Sequence, residues 1–317
     1  MRSAKTIMIT LMLLAILMAT SASAATVDQI KLVGGTWQSA PLISGDYVAV
    51  EHSTEWYSNG ALSTGGMNLY GTMTGGFTAW YCGWAGDRKM TALARTLGSW
   101  GMLAAFEDHG MQYMDNGSGA TVQLSPTVKY SAMTHDGYFG SYMWYAARAA
   151  GGIDVVQATT GWYVDPILNI STAYTALATF DGTYYKILGV KAGGGVDLIS
   201  NNGQGGLYDN FVVQAIPELA GKRYLALAED RLVPGVFYGA LPTGGIEIIT
   251  NSGSSWTTEI LGAANGKIYT SLSGAEESGA RVIEALYSQL VPEPGSLLAL
   301  ACGLFGLAPF AVRRKKS

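Results

Sequence analysis

The sequence predicts an all-β fold, a six-bladed β-propeller closed by N-terminal strands. A short strand-like segment recurs six times between Val27 and Leu290, at spacings of 43, 40, 44, 50 and 45 residues. A glycine-containing turn and a further strand follow five of the copies, and the two ends of the repeating region each hold half a unit. A period of about 45 residues is typical of propeller blades, which are four-stranded sheets.

The recurring segment is interpreted as the first, innermost strand of each blade. It begins with Tyr or Met and has a small residue at its third position. Innermost strands converge on the propeller axis, where only small side chains fit. The six copies are Tyr47–Val50, Met90–Leu93, Tyr130–Met133, Tyr174–Leu177, Tyr224–Leu227 and Tyr269–Leu272, with third residues Ala49, Ala92, Ala132, Ala176, Ala226 and Ser271.

The rest of each unit repeats as well. A second apolar strand leads to a turn in which glycine supplies the positive φ of a tight hairpin. The third strand has a polar second residue, and a fourth strand is expected to start near Trp162 or Trp256. We expect the polar residues to mark a solvated or inter-blade position, with a cation or sugar site as the alternative. The turns are Gly65-Gly66, Gly110, Gly151-Gly152, Gly193–Gly195 and Gly244-Gly245, and the polar residues are Asn68, Gln112, Asp154, Asp197 and Glu247.

The last unit, Tyr269–Leu290, supplies two strands only. Ile30–Val33 fits the third-strand pattern, and Gly35-Thr36-Trp37 matches the approach to the fourth strand. We therefore expect residues 28–44 to complete the sixth blade, which leaves no exposed sheet edge at the closure. An irregular β-sandwich or a β-solenoid is the alternative, but solenoid coils are usually shorter and a sandwich need not repeat.

The composition limits the partners and the chemistry. Six of the 19 basic residues and one of the 23 acidic residues lie in the two ends, so the region between them has 13 basic and 22 acidic residues and a net charge of −9. This sign disfavours nucleic acid as a partner and leaves cations or neutral glycans as possible ligands. Of the two cysteines, Cys302 lies in a C-terminal apolar run, so neither a disulfide framework nor a cysteine zinc site is expected.

The N-terminus has the three parts of a secretory signal peptide. Arg2 and Lys5 precede an apolar run from Ile7 to Ala19, and small residues follow. Ala22 and Ala24 occupy the −3 and −1 positions of a cleavage site after Ala24. We expect residues 1–24 to be removed by signal peptidase after export through the Sec machinery, with an uncleaved membrane anchor as the alternative.

The C-terminus combines a short extended segment, an apolar run and a basic end. Pro292-Glu293-Pro294 is followed by an apolar stretch from Leu297 to Val312, long enough to cross a bilayer as a helix when counted from Gly295. Prolines keep the preceding backbone out of the helix. A basic end is retained on the cytoplasmic side, and here it consists of Arg313, Arg314, Lys315 and Lys316.

These three parts, in this order at the end of the chain, resemble the PEP-CTERM sorting signal over residues 291–317. The resemblance implies an exosortase as processing partner and a Gram-negative bacterium that makes exopolysaccharide. It also implies transient anchoring in the membrane before the protein reaches the cell surface, the biofilm matrix or the medium. The tag indicates a destination and no activity.

Several residues in the sequence are candidates for metal binding, catalysis or sugar binding. Asp136-Gly137 and Asp181-Gly182 are interpreted as hairpin turns rather than metal ligands. His52, His109 and His135 lack metal-ligand spacing. Two turns faintly resemble the Asp-box of sialidase-type propellers, although the Asp is missing and Asn251 is nearest to it. The 18 Tyr and eight Trp residues are assigned mainly to packing, with sugar stacking as the alternative.

These observations favour three segments, with the signal peptide at 1–24, the propeller at 25–290 and the sorting and anchor segment at 291–317. We expect a non-enzymatic binding or scaffold module of the envelope or extracellular matrix, without a cofactor or a metal. Exopolysaccharide is a possible ligand. A carbohydrate-active hydrolase or lyase that uses the channel mouth is the first alternative, since carboxylates are numerous. A purely structural coat protein is the second.

Overall fold

A computed structural model of the protein describes the region between the two ends, residues 25–288 with short gaps. The predicted cleavage site (Ala22, Ala24), sorting motif (Pro292, Glu293, Pro294) and basic end (Arg313, Arg314, Lys315, Lys316) lie outside the described residues. In the described part of the chain, no helix is long and apolar enough to span a bilayer. The described ranges are 25–54, 57–72, 77–82, 86–95, 101–115, 118–136, 143–158, 161–180, 185–201 and 211–288.

The chain forms six four-stranded antiparallel sheets, which confirms the six-bladed β-propeller. β1 (Ala25–Val33) and β2 (Thr36–Gly45) come first. Blade 1 then has β3 (Tyr47–Thr54), β4 (Tyr57–Leu62), β5 (Met67–Thr72) and β6 (Phe77–Cys82), and blade 2 has β7 (Met90–Arg95), β8 (Gly101–Phe106), β9 (Gly110–Asp115) and β10 (Thr121–Ser125). Blade 3 has β11 (Tyr130–His135), β12 (Met143–Arg148), β13 (Ile153–Ala158) and β14 (Trp162–Pro166).

The remaining blades follow the same plan. Two short 3₁₀ helices, Pro217–Leu219 and Gly262–Ala264, lead towards the first strands of blades 5 and 6. Blade 4 has β15 (Tyr174–Thr179), β16 (Lys186–Lys191), β17 (Val196–Asn201) and β18 (Phe211–Ala215), blade 5 has β19 (Ala226–Glu229), β20 (Val236–Ala240), β21 (Ile246–Asn251) and β22 (Trp256–Ile260), and the chain ends with β23 (Tyr269–Glu277) and β24 (Ala280–Ser288).

Blade 6 closes the ring as the sequence predicts. Its strand order is β2-β1-β24-β23, so the two N-terminal strands pair with the two C-terminal ones. The closing hairpin runs from Ala25 to Gly45, slightly longer than the predicted 28–44. Hydrogen bonding between β1 and β24 thereby joins the first and last parts of the propeller, and neither strand is left as a free edge.

The first strands surround the axis. Each of β3, β7, β11, β15, β19 and β23 adjoins its counterparts in both neighbouring blades. Their third residues are small and, apart from the half-buried Ser271, buried, as predicted. In blade 5 the strand starts at Ala226, two residues after the predicted Tyr224. The Leu225 N–H nevertheless donates to Ala240 O (2.8 Å), so the same hairpin pairing continues.

Paired glycines connect consecutive blades. Gly151 and Gly152 have φ of 104° and 96°, as the tight turn requires. A Cβ on Gly151 would lie 2.3 Å from Ser171 O, so this position also needs glycine because the backbone approaches closely. The Gly152 N–H donates to Thr172 O (3.0 Å), just before the first strand of the next blade. Equivalent bonds from Gly66, Gly195 and Gly245 reach Arg88 O, Lys222 O and Lys267 O.

Apolar clusters fill the seams between blades. Among the described residues, the seam between blades 4 and 5 buries Phe180 and Phe237, and Trp256 packs against them. The seam between blades 6 and 1 buries Val27, Tyr47 and Leu286. Each fully buried large apolar side chain contributes about 1.5–3 kcal/mol, so these clusters hold neighbouring blades together.

Candidate functional site

A buried set of Tyr, carboxylate and cation recurs in blades 3 to 6. In blade 4, Tyr174 OH donates to Asp197 Oδ2 (3.1 Å) and Lys191 Nζ donates to Asp197 Oδ1 (2.8 Å). The Tyr opens the first strand, and the carboxylate is the second residue of the third strand. The other sets are Tyr130–Asp154–Arg148, Tyr224–Glu247–Lys222 and Tyr269–Asp28–Lys267.

The cation of each set comes from one of two places. Arg148 and Lys191 end the second strand, six residues before the carboxylate. Lys222 and Lys267 instead precede the Tyr by two residues. In blade 6, Tyr287 occupies the first of these two places. Lys267 Nζ lies 4.3 Å from the centroid of the Tyr287 ring. Either place therefore brings a positive charge to the same buried carboxylate.

Among the residues that the structure describes, blades 1 and 2 lack the ionic set. In blade 1, Asn68 Nδ2 donates to Tyr47 OH (3.2 Å). In blade 2 the first strand opens with Met90, and Gln112 Nε2 donates to Gln123 Oε1 (2.6 Å). These are neutral hydrogen bonds at the positions that hold charges elsewhere.

Two sequence expectations about this position are wrong. The polar residues were expected at a solvated or inter-blade position, but Asp154, Asp197 and Glu247 are buried and bond within their own blade. In blade 6, the sequence pattern places Lys31 at this position, whereas the structure places Asp28 there, three residues earlier. Asp28 lies nine residues before Trp37, as Glu247 does before Trp256, a spacing that could have revealed the register.

The sets stabilise the blades and leave little capacity for a ligand. Burial raises the pKa of Tyr174 well above its usual value, and the charge of Asp197 adds to the shift. Burial and Glu247 act in the same way on the pKa of Tyr224. The phenols therefore stay protonated and donate to the carboxylates. Within the described residues no cluster of His, Cys, Asp or Glu could hold a metal ion.

A cavity of about 130 Å³ lies on the axis, lined by all six first strands. Small hydroxyl side chains along it satisfy the backbone of neighbouring strands. Thr91 Oγ1 donates to Tyr130 O (3.0 Å), Ser131 Oγ donates to Tyr174 O (2.6 Å), and the His52 N–H donates to Ser273 Oγ (2.9 Å). These contacts serve edge strands that converge on the axis and have no further sheet neighbour.

An ion pair crosses the axis at the end of the cavity where the first strands finish. Arg95 Nη2 donates to Glu229 Oε1 (3.0 Å). Arg95 belongs to blade 2 and Glu229 to blade 5, which face each other across the ring of six. Arg95 is 2% exposed, and its Nε and Nη1 have no hydrogen-bond partner.

Glu51 of blade 1 lines the same end of the cavity. Burial raises the pKa of Glu51 to about 8. The charge of Arg95 lowers that pKa, that of Glu229 raises it, and hydrogen bonds from Ser273 and the Arg95 backbone lower it. Glu51 is therefore mostly protonated at neutral pH, while its neighbour Glu229 is ion-paired. Sequence reasoning missed this group because its members lie on three different blades.

A second polar group lies in the seam between blades 6 and 1. Glu284 accepts from Ser58 Oγ (2.6 Å) and Tyr70 OH (3.0 Å), and His52 Nδ1 lies 3.0 Å from Glu284 Oε1. Burial opposes ionisation, but His52, Ser58 and Tyr70 hold the pKa of Glu284 below its usual value. Ser58 bonds to the carboxylate and is 3% exposed, so the group resembles a structural network rather than an activated nucleophile.

His109, Asp136 and Asn251 take part in turns or strand ends. His109 Nδ1 pairs with Asp108 Oδ1 (2.8 Å) in an exposed turn. The Asp136 N–H donates to Met143 O (2.9 Å) at the end of β11, while Gly137, Asp181 and Gly182 lie outside the described residues. The Gly253 N–H donates to Asn251 Oδ1 (2.6 Å), so Asn251 builds the turn before Trp256.

Comparisons with known proteins support the fold and give no family. No protein-family model and no curated protein matches the chain. The β-propeller domain of Myceliophteria thermophila Cps50 (Swd1) aligns with a TM-score of 0.53 at 10% identity, over 78% of this chain and 97% of that chain. A chain of a nidogen/laminin complex aligns with a TM-score of 0.54 at 11% identity, over 73% and 92%. A chain of a mitotic checkpoint complex gives 0.51 and 12%, over 80% and 78%. At these identities the similarity concerns the β-propeller fold alone.

Proposed function

We propose that this chain is an exported, surface-anchored or released β-propeller that acts as a non-enzymatic binding or scaffold module in the bacterial envelope or extracellular matrix. The observation that carries the proposal is the closed ring, combined with the export and sorting patterns of the two ends. A fully paired propeller offers a broad rigid surface and no exposed closing edge. These properties suit a protein displayed outside the cell.

The size of the axial cavity favours surface binding over an enclosed site. Small-molecule sites usually have volumes of about 300–1,000 Å³. The axial cavity has about 130 Å³, well below this range. A sugar chain would therefore bind at the surface of the ring or at the channel mouth, and not inside the cavity.

The sorting part of the proposal is tested at the tail. Pro292, Glu293 and Pro294 are changed to Ala together, and the size and location of the protein are followed by immunoblotting of membrane, surface and medium fractions. We expect the unchanged protein to appear as a shortened form outside the membrane fraction and the variant to stay membrane-bound at full length. Identical products from both proteins would contradict a sorting role.

The binding part is tested with the full-length protein on a glycan array, followed by incubation with each glycan that binds. Retention without turnover supports the binding module. Absence of any retained glycan, together with a regular surface layer of the protein, would favour the structural coat instead.

A carbohydrate-active hydrolase is the second candidate, because two carboxyl groups with different environments meet on the axis. Glu51 with its raised pKa could act as an acid, and Glu229, which pairs with Arg95, could act as the partner carboxylate. Glycan cleavage that disappears in both Glu51→Gln and Glu229→Gln would select this candidate. Cleavage that is unaffected by both substitutions would exclude these residues as its source.

A further inference from the structure

The most exposed large apolar side chain in the described part of the chain lies between blades 3 and 4. Leu168 is 76% exposed, whereas Ile167 and Ile170 on either side of it are buried. The Ile170 N–H donates to Ile167 O (3.3 Å), so the turn is anchored from below and Leu168 is held outward. This segment leads into the first strand of blade 4. Leu168 therefore lies on the face of the ring where the first strands begin, which we call the top face.

Two further apolar side chains are exposed on the top face. Val48 and Leu225 are the second residues of the predicted first strands in blades 1 and 5, and they are 41% and 42% exposed at the mouth of the axial cavity. At this position the other blades have the hydroxyl residues Thr91, Ser131, Thr175 and Thr270. The repeat therefore does not require an apolar residue here. Exposed apolar side chains grouped on one face are typical of protein or membrane contacts.

The top face is basic around blades 3 to 6. The strand ends and connecting segments on this side of these blades contain six cations and one acid. The segments are 126–129, 148–152, 166–173, 191–195, 216–225, 241–245 and 261–268. The cations are Lys129, Arg148, Lys191, Lys222, Arg223 and Lys267, the acid is Glu218, and Asp165 and Glu259 lie on the outer strands. Around blades 1 and 2 the same segments contain Arg88 and Lys89 but also Asp46, Asp87, Glu107 and Asp108.

These cations are available at the surface. The four that belong to the ionic sets pair with buried carboxylates, while their own side chains remain between 31% and 35% exposed. Lys129 and Arg223 are exposed, and within the described residues neither makes an ion pair. A negatively charged surface would therefore meet cations on this part of the top face, although the region between the two ends has a net charge of −9.

The chain leaves the propeller on the same face. β24 ends at Ser288 beside the start of β23, since Tyr287 pairs with Tyr269. Eight residues, 289–296, separate Ser288 from the apolar stretch that begins at Leu297. At about 3.4 Å per residue they span at most about 27 Å. A bilayer entered at Leu297 would therefore keep this part of the top face within that distance of its surface.

We propose that the top face of blades 3 to 6 is a membrane-contact surface for a bilayer that contains anionic lipids. The inference rests on the anchoring part of the proposed function. Lys129 and Arg223 bind lipid phosphates, and Leu168 and Leu225 enter the headgroup layer. Binding at a membrane surface combines the burial of apolar side chains with the attraction between cations and anionic lipids. The opposite face of the ring is then the one that a ligand outside the cell reaches.

The experiment uses the full-length protein in nanodiscs with an environment-sensitive fluorophore on a single cysteine. Cys82 and Cys302 are changed to Ala, and the label is attached to Leu168→Cys or, as the matched control, to Val233→Cys. Val233 is 37% exposed and follows the end of β19, on the opposite face. The nanodiscs contain phosphatidylglycerol or phosphatidylcholine alone. With phosphatidylglycerol we expect the emission from position 168 to rise at least about twofold and that from position 233 to stay constant.

The role of the cations is tested with the label at position 168. Lys129→Gln with Arg223→Gln removes the two cations without an ion pair. The control, Lys31→Gln with Lys186→Gln, also removes two positive charges, from strand positions towards the opposite face. We expect the first pair of substitutions to lower the rise in emission by at least about half and the control pair to leave it unchanged.

Equal responses at the two label positions, or an equal rise in both lipids, would overturn the proposal. Co-elution of the protein with the nanodiscs reports on the anchor separately. Protein that co-elutes but shows no rise at position 168 keeps the anchor and contradicts the contact surface. Protein that does not co-elute refutes the anchor, and the same labelled protein mixed with phosphatidylglycerol vesicles then decides the contact surface. A rise confined to position 168 supports it, and no rise overturns it.

Discussion

Blades 3 to 6 and blades 1 and 2 are built on one strand plan but are held together differently. In blades 3 to 6 a buried carboxylate bonds to a Tyr hydroxyl and to a Lys or Arg. In blades 1 and 2 an amide makes one neutral hydrogen bond at the same position. The ionic version needs three matching residues, whereas the neutral one needs two. The comparison teaches that this position is polar in every blade, but that charge is optional.

The two versions should respond differently to the loss of one member. A completed buried ion pair stabilises a fold modestly, while a broken one leaves an uncompensated charge and costs about 3–5 kcal/mol. Neutral hydrogen bonds contribute about 0.5–1.5 kcal/mol. Blades 3 to 6 are therefore the more sensitive to substitution at this position.

The largest effect is expected from the cation of blade 6. Lys267→Met leaves Asp28, which is fully buried, without its Lys. We expect a loss of about 3 kcal/mol in the free energy of unfolding, measured in urea at neutral pH. The control is Lys31→Met in the same blade, whose surface ion pair with Glu277 contributes at most about 1 kcal/mol. Equal losses for both variants would show that the buried set has no special role.

The second test converts blade 1 to the ionic version. Asn68→Asp places a carboxylate next to Tyr47 without a cation, and we expect a loss of about 2 kcal/mol at neutral pH. Leu62 occupies the place that holds Lys191 in blade 4. The double variant Leu62→Lys with Asn68→Asp should be more stable, by about 1–2 kcal/mol, than the sum of the two single effects predicts. No coupling between the two substitutions would refute the idea that the cation position is interchangeable among blades.

The third test concerns the carboxylate that blade 1 receives from blade 6. The folded-state pKa of Glu284 lies below its unfolded value of 4.5, so its contribution to stability is present above that value and is lost as the pH falls through the folded-state pKa. We expect Glu284→Gln to cost about 2 kcal/mol at neutral pH and the difference from the natural protein to shrink as the pH falls below 4.5 and through the folded-state pKa. Urea unfolding across this pH range measures both. A constant difference would mean that Glu284 acts through its shape alone.

The smallest effect compares two Tyr hydroxyls. Tyr174→Phe removes a hydrogen bond to a charged acceptor, and Tyr47→Phe removes one that comes from the Asn68 amide. Since bonds to charged groups contribute about 1.5–3 kcal/mol and neutral ones about 0.5–1.5 kcal/mol, we expect Tyr174→Phe to be the more destabilising by about 1 kcal/mol. Thermal and urea unfolding of both variants provide the measurement, and the reverse order would invalidate the comparison.

The repeat made most of the fold predictable, because blade geometry depends on local patterns. The period, the paired glycines and the half units at both ends were sufficient for the ring and its closure. In the other blades, the second strand comes just before the third strand in the chain and fixes its register. β1 has no such strand before it, so the sequence pattern missed the position of Asp28. The cation also escaped notice because it comes from either of two places.

The axial group could not be predicted from local sequence. Arg95 and Glu229 are 134 residues apart and belong to opposite blades, so no short motif connects them. The pKa of Glu51 depends on burial and on two charges from other strands. Such a group is recognisable only once the order of the blades around the axis is known.

The two ends of the described propeller lie on the same side of the ring. β1 begins at Ala25 near Tyr269, since Asp28 bonds to that Tyr, and β24 ends beside the same residue, since Tyr269 pairs with Tyr287. Joining Ala25 to Ser288 by a short linker and opening the chain at a different hairpin would therefore give a circular permutant with all six sheets intact. A domain fused to either end would extend from this side and leave the opposite side, where Arg95 and Glu229 meet, uncovered.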